Sequence, residues 1–343
     1  MGTIRVKFVD FWPGFDEKSN FFTNSLSDKY NIEYVSQDPD YLVYSCFGDQ
    51  HKNYTSFACV KIFYTGENVV PDFNACDYAL GFDHLEFGER YLRYPLFGTH
   101  GGFEAVNNRL PVTQQDVDKR TRFCNFVYSN WRAAPIRDQI FKKLSAYKQV
   151  ESAGKYLRNV RVEGASITLG RGAPNDFNKI ELQKNYRFSI AFENSEHDGY
   201  STEKIMDAFT ARTVPIYWGN PLVLRDISPN SFINAYDFET LDDLVQEVIR
   251  IDTDPAAYLE MINAPVFTDE LLAQPSFRDQ GKAFLERIVA QPLDKARKRP
   301  KAGNARRVET VMAAKQGNVL QQLVKQWKQT KPETDVSGYD KIR

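Results

Sequence analysis

The chain is poor in the residues that staple small folds or hold metal ions. Its 343 residues include four cysteines and four histidines. Cys46, Cys59, Cys76 and Cys124 are widely spaced, form no C-x-x-C pair and sit in apolar or aromatic contexts, so buried thiols are expected rather than disulfides or a zinc site. His51, His84, His100 and His197 show no H-E-x-x-H or comparable spacing, so no metal held by side chains is expected. A net charge of −1 gives no global basic field, which argues against nucleic acid as a partner. No run reaches the roughly 18 apolar residues of a membrane span, and the start carries no charged and apolar leader. A chain made and kept in the cytoplasm is expected. No internal repeat is visible.

What is present reads as alternating strands and helices over a length that suits two domains. Ile4–Phe11, Ile32–Val35, Tyr41–Ser45, Lys61–Tyr64 and Tyr78–Gly81 are short strand-like runs, with a helix expected from about Asn20 to Tyr30. They make residues 1–115 an α/β domain, and the polar stretch Leu110–Arg120 is the expected linker. A second α/β domain is expected over 118–275, opening with a strand at Arg122–Tyr128 and a helix at Pro135–Tyr147. Residues 276–293 are expected to form a closing helix. The segment 294–343 is expected to be a basic amphipathic tail. Asp294–Lys331 carries +9, leaving −10 for the rest, and Val308, Val311, Met312, Val319, Leu320, Leu323, Val324 and Trp327 approximate an apolar stripe. Such a tail suits an anionic membrane surface or packing on the acidic body of the protein itself.

The stretch Tyr186–Gly219 is the most informative. Arg187–Phe192 and Val214–Trp218 read as buried strands, and between them Ile205, Ala208 and Phe209 mark a helix that Thr202 or Ser201 caps. Lys204 falls in the first turn of that helix, where the macrodipole disfavours a cation by roughly 0.3 to 1 kcal/mol. The residues alone leave two readings. Either a diphosphate sits at the helix start, or Lys204 pairs with Glu203, Glu196 or solvent.

Phe192-Glu193-Asn194-Ser195, Gly199–Phe209 (GYSTEKIMDAF) and Val214–Gly219 (VPIYWG) together resemble the nucleotide-sugar signature of the α1,3/4-fucosyltransferases, bacterial members above all. Further blocks match in order: Phe63–Asp83, Arg90–Leu96, Phe126–Phe141 and Ser231–Phe238. The resemblance implies a GT-B fold, two Rossmann-like doubly wound domains facing a cleft. It also implies inverting transfer of fucose from GDP-fucose to the 3-OH, or 4-OH, of GlcNAc or Glc in lactose or N-acetyllactosamine acceptors. The rival readings are a GT-B transferase for another nucleotide sugar, a non-catalytic sugar-nucleotide or glycan binder, and a glycosidase pair in Glu67 and Glu203.

Glu67 follows the run Lys61–Tyr64 in a short turn that would project it from a sheet edge. The match at Thr65–Asn68 implies that it is the general base for the acceptor hydroxyl. By the same resemblance Arg137, Asn194, Tyr200, Glu203 and Lys204 bind GDP-fucose. Arg137 would grip phosphate oxygens through its fork, and Glu203 would position the sugar or offset oxocarbenium-like charge. Asp38-Pro39-Asp40 and Asp252-Thr253-Asp254 match D-x-D, a pattern too short to carry a metal. No cofactor is expected, and a divalent ion is expected to be auxiliary at most, since Arg137, Lys204 and the helix dipole suffice for the leaving group.

Overall fold

The computed structural model describes residues 1–54, 59–99, 102–160, 176–300 and 304. His100 and the apolar stripe of the expected tail lie outside them. Contacts divide the chain into two units: Met1–Tyr94 with the described residues from Pro275 onward, and Pro95–Gln274.

The first unit is built on a six-stranded parallel sheet: β1 (Gly2–Val9), β2 (Tyr30–Tyr34), β3 (Tyr41–Tyr44), β4 (Val60–Tyr64), β5 (Tyr78–Gly81) and β6 (Tyr91–Arg93). Their order is β2-β1-β3-β4-β5-β6. All four residues of β3 are buried, as a strand covered on both faces requires. The order reverses beside β1, which makes the carboxyl ends of β1 and β3 the switch point of this sheet. Expected to reach Phe11, β1 stops at Val9 because Asp10 turns into the left-handed region at φ 61°. The first helix, Phe21–Leu26, is capped by Asn20 and is shorter than expected, since Tyr30 already belongs to β2.

The expected closing helix is present as Phe277–Val289 and belongs to this unit. It packs closely because Gly281 has no side chain: a Cβ there would lie 2.6 Å from the rings of both Phe21 and Tyr94. The chain then runs back onto the sheet, where buried Asp77 accepts from the N–H groups of Lys298 and Arg299 at 2.8 Å and from Nε of Arg299 at 3.0 Å. The first residues of the expected tail are thus fastened to the protein.

The second unit holds β7 (Arg122–Asn125), β8 (Val150–Glu151), β9 (Tyr186–Phe192), β10 (Val214–Trp218) and β11 (Ile233–Asn234), all parallel. Their order is β11-β10-β9-β7-β8, so the switch point lies between β7 and β9. The helices Ile136–Tyr147 and Leu241–Thr253 supply Ile140, Leu144, Leu244 and Val248 to the core around Phe126 and Phe188.

The stretch expected to be a linker is instead an ordered part of this unit. Thr113 and Asp116 form a reciprocal capping box on the helix Gln114–Asp118. Asn263 brackets Val112 through its N–H (2.7 Å) and carbonyl (2.9 Å). Val112 and Val117 enter the core, each buried valine contributing about 1.5–3 kcal/mol. The contact division therefore falls after Tyr94, where the sequence reading drew it at 115.

Candidate active site

At the switch point of the second unit, the loop after β7 and the loop after β9 meet. Arg137, in the first turn of the helix that follows β7, is fully buried. Its Nη1 donates to Oδ1 of Asn194, just beyond β9, at 2.9 Å, and its Nη2 donates to the carbonyl of Asn130. The guanidinium carbon lies 4.4 Å from the ring centroid of Tyr128 and 5.7 Å from that of Tyr156. Burial lowers its pKa, but a guanidinium keeps its charge. Among the described residues it has no ion pair, and its Nε has no hydrogen-bond partner. Asn194 and Asn130 each take one N–H of a terminal nitrogen, which leaves a second N–H on each as well as that of Nε. A buried positive charge without a carboxylate partner remains, aligned behind the Asn194 amide.

The helix Glu203–Thr210 begins where the chain leaves the β9 loop, with Thr202 as the cap that was one of two candidates. Lys204 pairs with Glu203, one of the acids expected, but not most closely. Its closest partner is Glu193, at 2.8 Å, with Glu203 at 3.7 Å. Glu196 accepts a bond from the Tyr236 hydroxyl instead. Glu193 is fully buried and also accepts from the Thr202 N–H (2.8 Å) and hydroxyl (2.8 and 2.9 Å). Burial pushes the Glu193 carboxyl up against the pull of Lys204. On Lys204 burial opposes the charge, yet the carboxylates of Glu193 and Glu203 outweigh it and raise the ammonium well above ordinary lysine. The second direction governs the pair, since three donors converge on the Glu193 oxygens and favour the carboxylate. Two of the three ammonium N–H groups serve Glu193 and the Thr202 hydroxyl (3.0 Å).

Glu193 is the residue that reading the sequence missed, although it stands inside a quoted motif. The signal was an acid directly after a buried strand, combined with a glycine after the next one. Gly219 sits at φ 138°, and a Cβ there would come within 2.4 Å of the Glu193 Cβ. The loop between is tied to the end of β10 by His197 N–H to the Gly219 carbonyl (2.8 Å), Gly199 N–H to Asn220 (2.7 Å) and Ser201 to the Tyr217 hydroxyl (3.0 Å). Tyr200 is buried in that loop, and Glu203 is part-exposed at the helix start. The structure thus gathers Asn194, Tyr200, Glu203 and Lys204 on one loop and helix start, with Arg137 joined to them through Asn194.

Glu67 lies in the first unit, in the turn after β4, with its N–H on the Thr65 hydroxyl (2.9 Å) and its side chain half-buried. The Thr65 hydroxyl also meets Cys46 Sγ at 3.2 Å, which places Glu67 beside the end of β3. All four cysteines are free thiols, three of them buried. Both D-x-D segments serve the fold. Asp40 accepts from the Arg5 N–H (3.0 Å), Asp252 binds Arg187 (2.8 Å) and Lys148, and Asp254 caps the helix Pro255–Asn263. Among the described residues no group of three or more His, Cys, Asp or Glu is placed to hold a metal, and no helix is long and apolar enough to cross a membrane.

Residues 6–100 match the α-(1,3)-fucosyltransferase FucT N-terminal domain, and residues 117–263 match the C-terminal part of glycosyltransferase family 10 (fucosyltransferase). The chain is 34% identical to an α-(1,3)-fucosyltransferase FucT of Helicobacter pylori, over 76% of this chain and 59% of that protein. It is 27% identical to human 3-galactosyl-N-acetylglucosaminide 4-α-L-fucosyltransferase FUT3, over 51% of this chain and 48% of that one. It therefore spans about half to three fifths of the length of these two relatives. The fold is similar to that of an α1,3-fucosyltransferase crystallised with GDP-fucose, with a TM-score of 0.62, 27% identity, and coverage of 85% of this chain and 92% of that one. Two parallel-sheet α/β units of this kind are those of the GT-B class, and the chain belongs to glycosyltransferase family 10, the fucosyltransferases.

Proposed function

We propose that the chain is an inverting α1,3-fucosyltransferase, moving L-fucose from GDP-fucose to the 3-OH, or 4-OH, of GlcNAc or Glc in lactose or N-acetyllactosamine-type acceptors, as in Lewis-antigen-like glycans. The observation that carries this reading is the Lys204 and Arg137 pair of buried cations held around Asn194 and Glu193 at the switch point of a family 10 domain. In the proposed reaction the acceptor oxygen attacks the anomeric carbon while Glu67 takes its proton. The bond from that carbon to the diphosphate breaks, and its electron pair leaves on GDP. Lys204 offers its remaining N–H to the diphosphate beside the positive end of its helix, and Arg137 adds charge from behind Asn194. Tyr200 and Asn194 shape the donor pocket, and Glu203 positions the fucose.

A divalent ion is at most auxiliary in this reading, which the structural engagement of Asp40, Asp252 and Asp254 supports. The +9 charge over Asp294–Lys331 supports peripheral attachment to an anionic membrane from the cytoplasmic side. Truncation after Pro300, which spares the Arg299 anchor, should then reduce binding to anionic vesicles; equal binding would rule this out. The reaction itself is tested with GDP-fucose and a panel of lactose and type 1 and type 2 N-acetyllactosamine acceptors, with linkage assigned by NMR. GDP release that does not depend on acceptor, or a β-linked product, would overturn it.

A further inference from the structure

Among the described residues, α-helices cover the sheet of the first unit on one face only. Side chains alternate between the faces of a strand, and those on one face meet the helix Phe277–Val289. The Tyr41 hydroxyl reaches the Val289 carbonyl at 3.5 Å, and the Tyr78 ring meets Phe284 at 6.0 Å. The opposite face carries Leu42, Tyr44, Phe63, Ala79 and Tyr91. Its cover comes from the connections β3 to β4, β4 to β5 and β5 to β6, which step the same way along the sheet and so cross on one side of it. Their described residues form no α-helix, only short 3₁₀ turns at Gln50–Asn53 and Gly88–Arg90. A parallel sheet ordinarily packs both faces under helices.

Two of these connections are both apolar and acidic. Of the six large hydrophobic side chains that the described part of the first unit leaves exposed, four belong to them: Val69, Val70, Leu85 and Phe87, each at least 41% exposed. Phe87 lies over Phe73 with ring centroids 4.4 Å apart, and Phe73 packs on the core of this face. Single exposed apolar residues mean little, but their concentration on two adjoining crossovers marks an interaction surface. Residues 65–89 hold six acids and neither Lys nor Arg, a charge of −6.

The chain itself leads to this surface. Arg299 is buried at the amino ends of β4 and β5, with Nη2 on the Cys59 carbonyl at 3.0 Å besides its bonds to Asp77. Lys298 Nζ pairs with Glu89, close in sequence to Phe87. Pro300 is exposed. The apolar stripe over 308–327 begins eight residues further on and lies outside the described residues. Eight residues reach up to about 28 Å. Residues 301–331 carry seven Lys or Arg against one acid, so +6 meets −6. Point of departure, opposite charge and helical spacing agree on one occupant.

We propose that the stripe bearing Val308, Met312, Val319, Leu320, Leu323 and Trp327 docks on the connections 65–77 and 82–90 of its own chain, as the helical layer of that face. The docking does not rest on the transferase reading. It describes the protein in solution, and an anionic membrane competes for the same stripe. The test places the photo-crosslinking residue benzoylphenylalanine at Phe87 of the full chain and maps the captured peptide by mass spectrometry. A mixture of isotope-labelled and unlabelled chains tells capture within a chain from capture between chains. Capture of a peptide from 305–331 of the same chain is expected, and Leu320→Ser combined with Leu323→Ser should lower its yield about tenfold, the worth of one apolar anchor. Hydrogen exchange gives a second readout without the probe. Truncation after Pro300, which spares the Arg299 anchor, should speed exchange over 65–90 about tenfold and leave the second unit unchanged. The docking is overturned by capture between chains, by capture that omits the tail or ignores the Leu320 and Leu323 substitutions, or by exchange over 65–90 that truncation leaves unchanged.

Discussion

The ion pair of Glu193 and Lys204 makes the sharpest energetic prediction. Glu193 is fully buried and the Lys204 side chain is 13% exposed, so neither charge has water to fall back on. Removing one partner leaves the other charge uncompensated, which costs about 3–5 kcal/mol, whereas replacing both is often nearly neutral. Glu193→Gln and Lys204→Met should each lower the melting temperature of the unit Pro95–Gln274 by roughly 6–20 °C, at about 2–4 °C per kcal/mol for a unit of that size. The double variant should melt closer to wild type than either single one. A pH series adds a signed test. In Lys204→Met the Glu193 carboxyl, already pushed up by burial, loses the ammonium that held it down. A carboxyl raised in the folded state gives its full stability below the unfolded carboxylate pKa and loses it as pH rises through the folded value. Lys204→Met should therefore recover toward wild type in mild acid and weaken toward neutrality. The assay is thermal melting of the four proteins across that range. Additive single effects, agreeing within about 0.5 kcal/mol, would refute the coupling.

The remaining expectations concern the reaction and its scaffold. Glu67→Gln should lower kcat by about 10² to 10⁴ while calorimetric GDP affinity stays near wild type; retention of more than roughly a tenth of kcat would place the base elsewhere. Lys204→Met and Arg137→Met should each weaken GDP binding by about 1.5–3 kcal/mol, measured on folded protein below its melt, with a non-additive double variant. Gly219→Ala forces a Cβ onto Glu193 at φ 138° and should cost about 2–6 kcal/mol of stability by denaturant melts. Substantial transfer activity should survive EDTA in metal-free buffer, and complete loss restored by Mn²⁺ would return a D-x-D segment to the mechanism.

The buried strands and the helix after Thr202 were legible because long apolar runs and a capped amphipathic stripe are local signals. What escaped is what only packing decides. Two inward valines, Val112 and Val117, are too few to print a periodicity, so a capped helix in the second unit read as a linker. Lys204 was matched to acids near it in sequence, of which Glu203 does pair with it, yet its closest partner stands 11 residues away, brought close because Gly219 lets the end of β9 press against the next strand. Strand order is the deeper case. Nothing along the chain says that β7 pairs with β9 rather than β10, since pairing is a choice among edges made by the whole sheet. That choice places the loop bearing Asn130 and Arg137 against the one bearing Glu193 and Asn194. In the other unit it sets the strained Asp10 beside Phe47 and two strands from Glu67. The residues that suit each chemistry were readable one loop at a time, and topology, which the sequence encodes only collectively, turns neighbouring loops into a site.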